Sequence, residues 1–186
     1  MEVMIDIETV STAPNAAILT LGAVAFDSAG LHGEFYTGIR LEDCELAGLK
    51  IDAGTIKWWM KQPQEVMQAA FSGEYPLSIA LGNFSRWYAV YDVKGVWGNG
   101  SDFDNLIPTN AFRAVGSTPP WTYKQNRCYR TLAALFPEIP LARQGSHHNA
   151  LDDAKSQALH ASLILKRIKV RDEDAILQGS TTDIVI

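Results

Sequence analysis

The stretch "VMIDIE" (3–8) restricts the fold more than any other part of the chain. Its apolar residues predict a buried strand, and side chains two apart in a strand share a face. Asp6 and Glu8 therefore stand side by side on one face of an apolar element. Two such carboxylates repel each other and are costly to desolvate. A fold that keeps them there needs a compensating charge.

The elements that follow predict the surroundings of this strand. "AILTLGAVAF" (17–26) reads as a second strand, "DSAG" (27–30) as a turn, and "LHGEFYTGIR" (31–40) as a third strand. Together they form an antiparallel three-stranded meander. Residues 41–53 carry no clear pattern. "TIKWWMKQ" (55–62) and "PQEVMQAAF" (63–71) read as short helices, with Pro63 suited to a first turn. A longer helix is expected over 77–91, where Leu77, Ala80, Leu81, Phe84, Trp87 and Tyr88 recur at helical spacing. "KGVWGNG" (94–100) is a short strand ending in glycines, and 104–115 is helical up to the limit set by Pro108. "CYRTLAALF" (128–136) predicts a helix, and 148–169 is the strongest helical pattern in the chain. The expectation is one mixed α/β domain over 1–170 and a C-terminal tail over 171–186.

Composition narrows the function classes. With 186 residues, 47% apolar and 20% charged, the chain has the balance of a globular domain with a substantial core. Apolar runs fall short of the ~20 residues that a membrane span needs. The start shows no signal-peptide pattern, so no membrane partner is expected. Cys44 and Cys128 are too few for a disulfide framework, and a cytoplasmic setting is the default. The net charge of −5 argues weakly against a nucleic-acid partner, yet local charge decides such contacts. Two divalent cations would nearly neutralise it.

Three places carry candidate chemistry: Asp6 and Glu8; "WGNGSDFDN" (97–105); and "SHHNALDDA" (146–154). Each has an ordinary structural use. Asp102 or Asp104 can cap a helix, His147 and His148 can be solvated, and Asp152 and Asp153 can favour a helix N-terminus. Their combination is more informative. Separated carboxylates suit a hard divalent cation. Two cations can stabilise both the attacking and leaving oxygens of a phosphoryl displacement. A histidine with a pKa near 6.5 can take a proton from the attacking water.

"DIET" (6–9), "NGSDFD" (99–104) and "HNALDDA" (148–154), in that order, resemble the three motifs of the DEDDh 3′–5′ exonucleases. "PNAAILTLGAVAFD" (14–27), "VWGNGSDFDN" (96–105) and "NRCYRTL" (126–132) look like the RNase T-like exonucleases of bacteriophages and prophages. The resemblance covers roughly residues 3 to 165. It implies a ribonuclease H-like fold with a central mixed sheet, the meander plus parallel strands, flanked by helices. It also implies that Asp6, Glu8, Asp104 and Asp153 are metal ligands and that His148 is the general base. Asp104 is preferred to Asp102 because Phe103 precedes it, although Asn99 lies five residues before Asp104 rather than four. His147 with Asp152 has the same spacing as His148 with Asp153. At about 100° per residue, Asp153 falls about 110° from the centre of the stripe of Leu151, Ala154, Ala158, Ala161, Leu165 and Ile168, and Asp152 about 150°. That places Asp153 nearer the core flank.

The function implied is hydrolysis of terminal phosphodiesters at 3′ ends of single-stranded DNA or RNA, releasing nucleoside 5′-monophosphates with two Mg²⁺ or Mn²⁺ ions. Asp6 would bridge both ions, Glu8 and Asp153 would complete the first site, and Asp104 would hold the second. Thr9, Asn99 and Phe103 are expected at the substrate. Trp58, Trp59 and Trp121 are candidate stacking platforms, and Lys124, Arg127 and Arg130 a candidate phosphate contact. The phage-like resemblance tilts the expectation slightly toward DNA. Relatives of this size are often homodimers. The competing readings are an inactive nucleic-acid-binding relative, a metal-dependent nucleotide phosphohydrolase, and a purely structural domain.

Overall fold

The computed structural model describes the backbone of residues 1–177 and the side chains of residues 1–170. The chain begins with the expected meander: β1 (Glu2–Thr9), β2 (Ile18–Asp27) and β3 (Gly30–Gly38). Four helices follow: α1 (Leu41–Leu46), α2 (Ala53–Trp59), α3 (Gln64–Phe71) and α4 (Leu77–Tyr88). β4 (Gly95–Gly98) leads through a π-helical turn (Ser101–Asn105) into α5 (Leu106–Ala114). β5 (Asn126–Cys128), α6 (Tyr129–Leu135) and α7 (Ala150–Leu177) complete the order. The sheet runs β3-β2-β1-β4-β5. Its first three strands are antiparallel, and β1-β4 and β4-β5 are parallel.

β1 lies in the middle of the sheet and is covered on both sides, which is why its apolar run is continuous. Val3, Ile5 and Ile7 face a core shared with Leu81, Phe84, Ile107 and Phe112. Met4 faces the opposite core with Val24, Phe26, Trp97 and the alanines of α7. Strand alternation puts Asp6 and Glu8 on this second face, beneath α7. The β1-β4 pairing ends at Ile5 opposite Gly98. Asp6 and Glu8 thus lie beyond the end of β4, in the crevice that opens where parallel and antiparallel halves meet, a usual place for ligands.

Helix α7 packs across β1, β2 and β3. Ala150, Ala154, Ala158 and Ala161 are all fully buried, so small side chains let the helix lie close to the sheet. The helix lies against backbone at Gly22, the register partner of Asp6. A Cβ on Gly22 would stand 2.3 Å from the Ala150 carbonyl carbon and 2.4 Å from the Leu151 amide nitrogen. Glycine inside a strand here marks backbone-to-backbone approach.

Five details depart from expectation. Residues 41–46 form α1, although no pattern announced it. β5 is a three-residue strand just ahead of the helix expected over 128–136, overlapping it only at Cys128; its pairing with β4 supplies the order that three residues cannot. Pro108 is accommodated as the third residue of α5, in the first turn, where amide donors are not required. The buried stripe of α7 also takes in Gln157, His160 and Ile164, which rotates it toward Asp153. That helix continues to Leu177, into the expected tail. The remainder of the tail, 178–186, lies outside the described residues.

Two glycine substitutions should act oppositely. Gly22→Val should destabilise the protein by about 1–3 kcal/mol through overpacking and weaken divalent-metal binding. Gly82→Ala, in α4 with open space around its missing Cβ, should stabilise by about 0.5–1 kcal/mol. Urea denaturation of both variants checks this, and wild-type stability of Gly22→Val would contradict the close approach.

Candidate active site

Three elements bring the acidic side chains together. β1 supplies Asp6 and Glu8. The first turn of α7 supplies Asp153, and its geometry is set by Asn149, whose side-chain oxygen accepts from the Leu151 and Asp152 amides at 3.1 Å each. Asp6, Glu8 and Asp153 offer oxygens that all lie within 4.8 Å of one another. The turn after β4 supplies Asp104, which is buried and lines the same cleft. Asn105 ties that turn down by donating to the Val96 carbonyl at 2.8 Å. Gly98 leaves room for it, because a Cβ there would sit 2.6 Å from Cβ of Asp104. The cleft has a volume of ≈ 260 Å³.

The doubled residues separate in space. Asp102 is exposed and is not among the residues lining the cleft, whereas Asp104 is. Asp152 turns to the loop before α7 and accepts from the Ser146 amide at 2.8 Å. Asp153 accepts from the His148 amide at 3.0 Å and from Arg143 Nη1 at 3.0 Å. Both His147 and His148 border the cleft, with ring centroids 3.9 Å apart. His147 is exposed, while His148 is half-buried and meets Trp58 edge-to-face at 5.1 Å. His148 also holds a left-handed backbone, φ 62°, which is strained for a non-glycine residue and aims its ring at the cleft.

The other nominated residues divide. Phe103 and Glu8 line both this cleft and a neighbouring one of ≈ 430 Å³, where Thr9, Asp52, Thr55 and Trp58 also lie. Asn99 borders the acidic cleft, and its carbonyl accepts from Arg130 Nη2 at 2.7 Å. Trp59 is buried, and although its ring edges the neighbouring cleft, its indole N–H is spent on the Thr9 carbonyl at 2.8 Å. Trp121 packs into the core against Phe84 and Phe112. Trp58 is therefore the expected tryptophan that is free to stack. Of the basic run, Arg127 bonds to the Lys124 carbonyl at 2.9 Å, and Arg130 bonds to the carbonyl of Asn99, a residue at the cleft border, without lining the cleft itself.

Sequence reasoning overlooked Gln157 and Arg143. Gln157 Nε2 donates to Asp6 Oδ1 at 2.8 Å and is buried against it. Its place four residues after Asp153, one helical turn on, was the available signal. His160 is buried too. Its Nε2 donates to the Ile139 carbonyl at 2.7 Å, leaving Nδ1 to accept from the Tyr129 hydroxyl at 2.6 Å.

The electrostatics are those of a site lacking positive charge. Burial, then the charges of Asp104 and Glu8, push the Asp6 carboxyl well above the usual range, with Gln157 opposing. Burial, then Asp153 and Asp104, raise Glu8 to about 8, and no donor offsets these effects. Burial raises Asp104 to about 7 against the opposing amides of Ile7 and Asn99 and the charge of Arg130. Burial and neighbouring His147 lower the pKa of His148, keeping its imidazole neutral and able to accept a proton near pH 7. The oxygen-only donor set and the crowded charge suit a hard divalent cation.

A family profile described as "3'-5' exoribonuclease Rv2179c-like domain" matches residues 1–165. No curated protein sequence matches significantly. Among solved structures, the nuclease domain of 3'hExo, a DEDDh family member bound to rAMP, aligns with TM-score 0.66 and 16% identity. That alignment covers 89% of this chain and 91% of that one. Exonuclease X in complex with 5' overhanging duplex DNA aligns with TM-score 0.57 and 15% identity, over 90% and 92% of the two chains. Product-bound exonuclease I aligns with TM-score 0.56 and 16% identity, over 94% of this chain and 44% of that one. These structures share the mixed, helix-flanked sheet of the ribonuclease H-like fold. The chain therefore belongs to the 3'-5' exoribonuclease Rv2179c-like domain family.

Proposed function

We propose that the protein removes nucleoside 5′-monophosphates from the 3′ end of single-stranded RNA, using two divalent cations. The observation that carries this reading is the clustering of Asp6, Glu8 and Asp153 within 4.8 Å, in a cleft that Asp104 and His148 share. Asp6, Glu8 and Asp153 would hold one Mg²⁺ or Mn²⁺, with Asp104 across the cleft for a second; the ions would supply charge stabilisation of the attacking and leaving oxygens. His148 Nδ1 or Nε2 accepts the proton of the attacking water, as its neutral imidazole allows. Gln157 fixes the orientation of Asp6 by holding one of its oxygens. Phe103 and Trp58 flank the neighbouring cleft, where the terminal base can stack. The slight tilt toward DNA gives way to RNA, in keeping with the family's described activity.

A digest of matched 5′-labelled RNA and DNA strands tests the reading. Ladders shortened from the 3′ end should form with Mg²⁺ or Mn²⁺, faster on RNA, and vanish with EDTA. A strand blocked at its 3′ end should persist. Asp6→Asn should abolish trimming with its circular dichroism unchanged; full activity in that variant would sink the proposal.

The two histidines should be separable. His148→Ala should lower kcat by about 10²–10⁴ while Mn²⁺ binding, followed by electron paramagnetic resonance, persists. His147→Ala should remain close to wild type. The reverse ranking would assign the base to His147.

Metal removal should change the pH dependence of stability. The folded state retains protons on Glu8 up to about pH 8 and on Asp104 up to about pH 7, above their ordinary values of 4.5 and 3.8. The folded state then binds more protons than the unfolded one, so stability falls as pH rises. This contribution is complete below those ordinary values and is lost as pH climbs through the raised ones. In EDTA, Tm should decline between about pH 5 and pH 8. Saturating Mn²⁺ should flatten the decline, and Glu8→Gln should reduce it. Differential scanning fluorimetry across this range checks both expectations.

A further inference from the structure

Among the described residues, Arg143 is the one arginine or lysine that lines the acidic cleft. It belongs to the segment between α6 and α7, which is stitched back along the first turns of α7. The Ile139 carbonyl accepts from His160 at 2.7 Å. The Gln144 amide donates to Ser156 Oγ at 2.8 Å, and the Ser146 amide to Asp152 at 2.8 Å. The His148 amide closes the series on Asp153 Oδ2 at 3.0 Å. Held in this frame, Arg143 Nη1 pairs with Asp153 Oδ1 at 3.0 Å.

Asp153 is thus committed twice, yet it is the same carboxylate that completes the oxygen cluster with Asp6 and Glu8. A guanidinium and a divalent cation drawn to one carboxylate repel each other. The Asp153 side chain is 14% exposed and cannot move far, whereas that of Arg143 is 56% exposed and has room to turn. Guanidinium stays charged at any working pH and matches phosphate oxygens with a two-pronged fork. Without it, the cleft would present a polyanionic strand with four carboxylates and no fixed cation from the protein. Arg130 does not replace it, because its guanidinium is engaged by the Asn99 carbonyl and lies outside the cleft lining.

We propose that Arg143 is a substrate-phosphate ligand held in reserve by Asp153. A divalent cation and Arg143 compete for that carboxylate, and the cation frees the guanidinium to meet a non-bridging oxygen of the backbone phosphate. The inference rests on the nuclease reading of the site and gives it an order: metal first, then phosphate.

Arg143→Gln and Arg143→Lys test it. Mn²⁺ binding without nucleic acid, measured by electron paramagnetic resonance, should be about twofold to fivefold tighter in Arg143→Gln than in wild type, the worth of a part-exposed ion pair. At saturating Mn²⁺, KM for an RNA oligonucleotide should rise about tenfold or more, the worth of a charge-assisted hydrogen bond. Arg143→Lys should recover only part of that loss, since an ammonium lacks the fork. A purely structural role would give the opposite sign in the first measurement, because a collapsed loop would loosen Asp153 and weaken Mn²⁺ binding. Unchanged or weaker Mn²⁺ binding overturns the competition, and an unchanged KM overturns the phosphate contact. Failure of the nuclease reading shows separately, as a wild type that neither binds Mn²⁺ nor trims RNA, and overturns both.

Discussion

The contact of α7 with the sheet at Gly22 is the constraint on which the site depends. The Ala150 carbonyl and Leu151 amide occupy the space that any side chain on Gly22 would need. Gly22 is the register partner of Asp6, so this one approach sets the start of α7 above the acidic face of β1. Asp153, three residues into the helix, then reaches Asp6 and Glu8. The run of buried alanines maintains the contact along the helix, and Gln157 uses it to hold Asp6 one turn further on.

That closeness has an electrostatic cost. Ordinary surface carboxylates would spread apart and hydrate; here burial raises Asp6, Glu8 and Asp104, and neighbouring carboxylates add to the rise at Asp6 and Glu8. The fold tolerates the crowding because two chain segments offset part of it: Gln157 donates to Asp6, and Arg143 pairs with Asp153. The remaining deficit of positive charge is the physical reason that a cation suits the cleft. Such crowding costs local stability, as expected where function conflicts with it.

The aromatic residues show how tertiary context assigns roles that composition leaves open. Trp58 and Trp59 are adjacent on one helix and look equivalent in the sequence. One faces the cleft and His148, and the other has its indole N–H spent on the Thr9 carbonyl. Trp121, also a stacking candidate by type, became a core residue among Phe84, Phe112 and Tyr88. Aromatic side chains bury large areas, and the core claims most of them before a ligand can.

The sequence by itself determined the meander, the principal helices and the three acidic motifs. Periods of 2 and 3.6 residues are local properties, and paired carboxylates in an apolar run are conspicuous wherever they occur. It also favoured Asp104 and Asp153 over their neighbours, through Phe103 and the helical stripe, and the structure places those two in the cleft. Only the tertiary structure decided the rest. Gly22 read as an ordinary strand residue because nothing local announces which backbone will lie on it. Gln157 and His160 lie buried, held by partners far away in the chain: Gln157 donates to Asp6, and His160 accepts from Tyr129. Arg143 carries no local signature, because its ion pair with Asp153 is set by the fold of one segment back along α7. Short-range pattern encodes the elements and the chemistry they carry; distance between elements, which decides who meets whom, is a property of the packed chain.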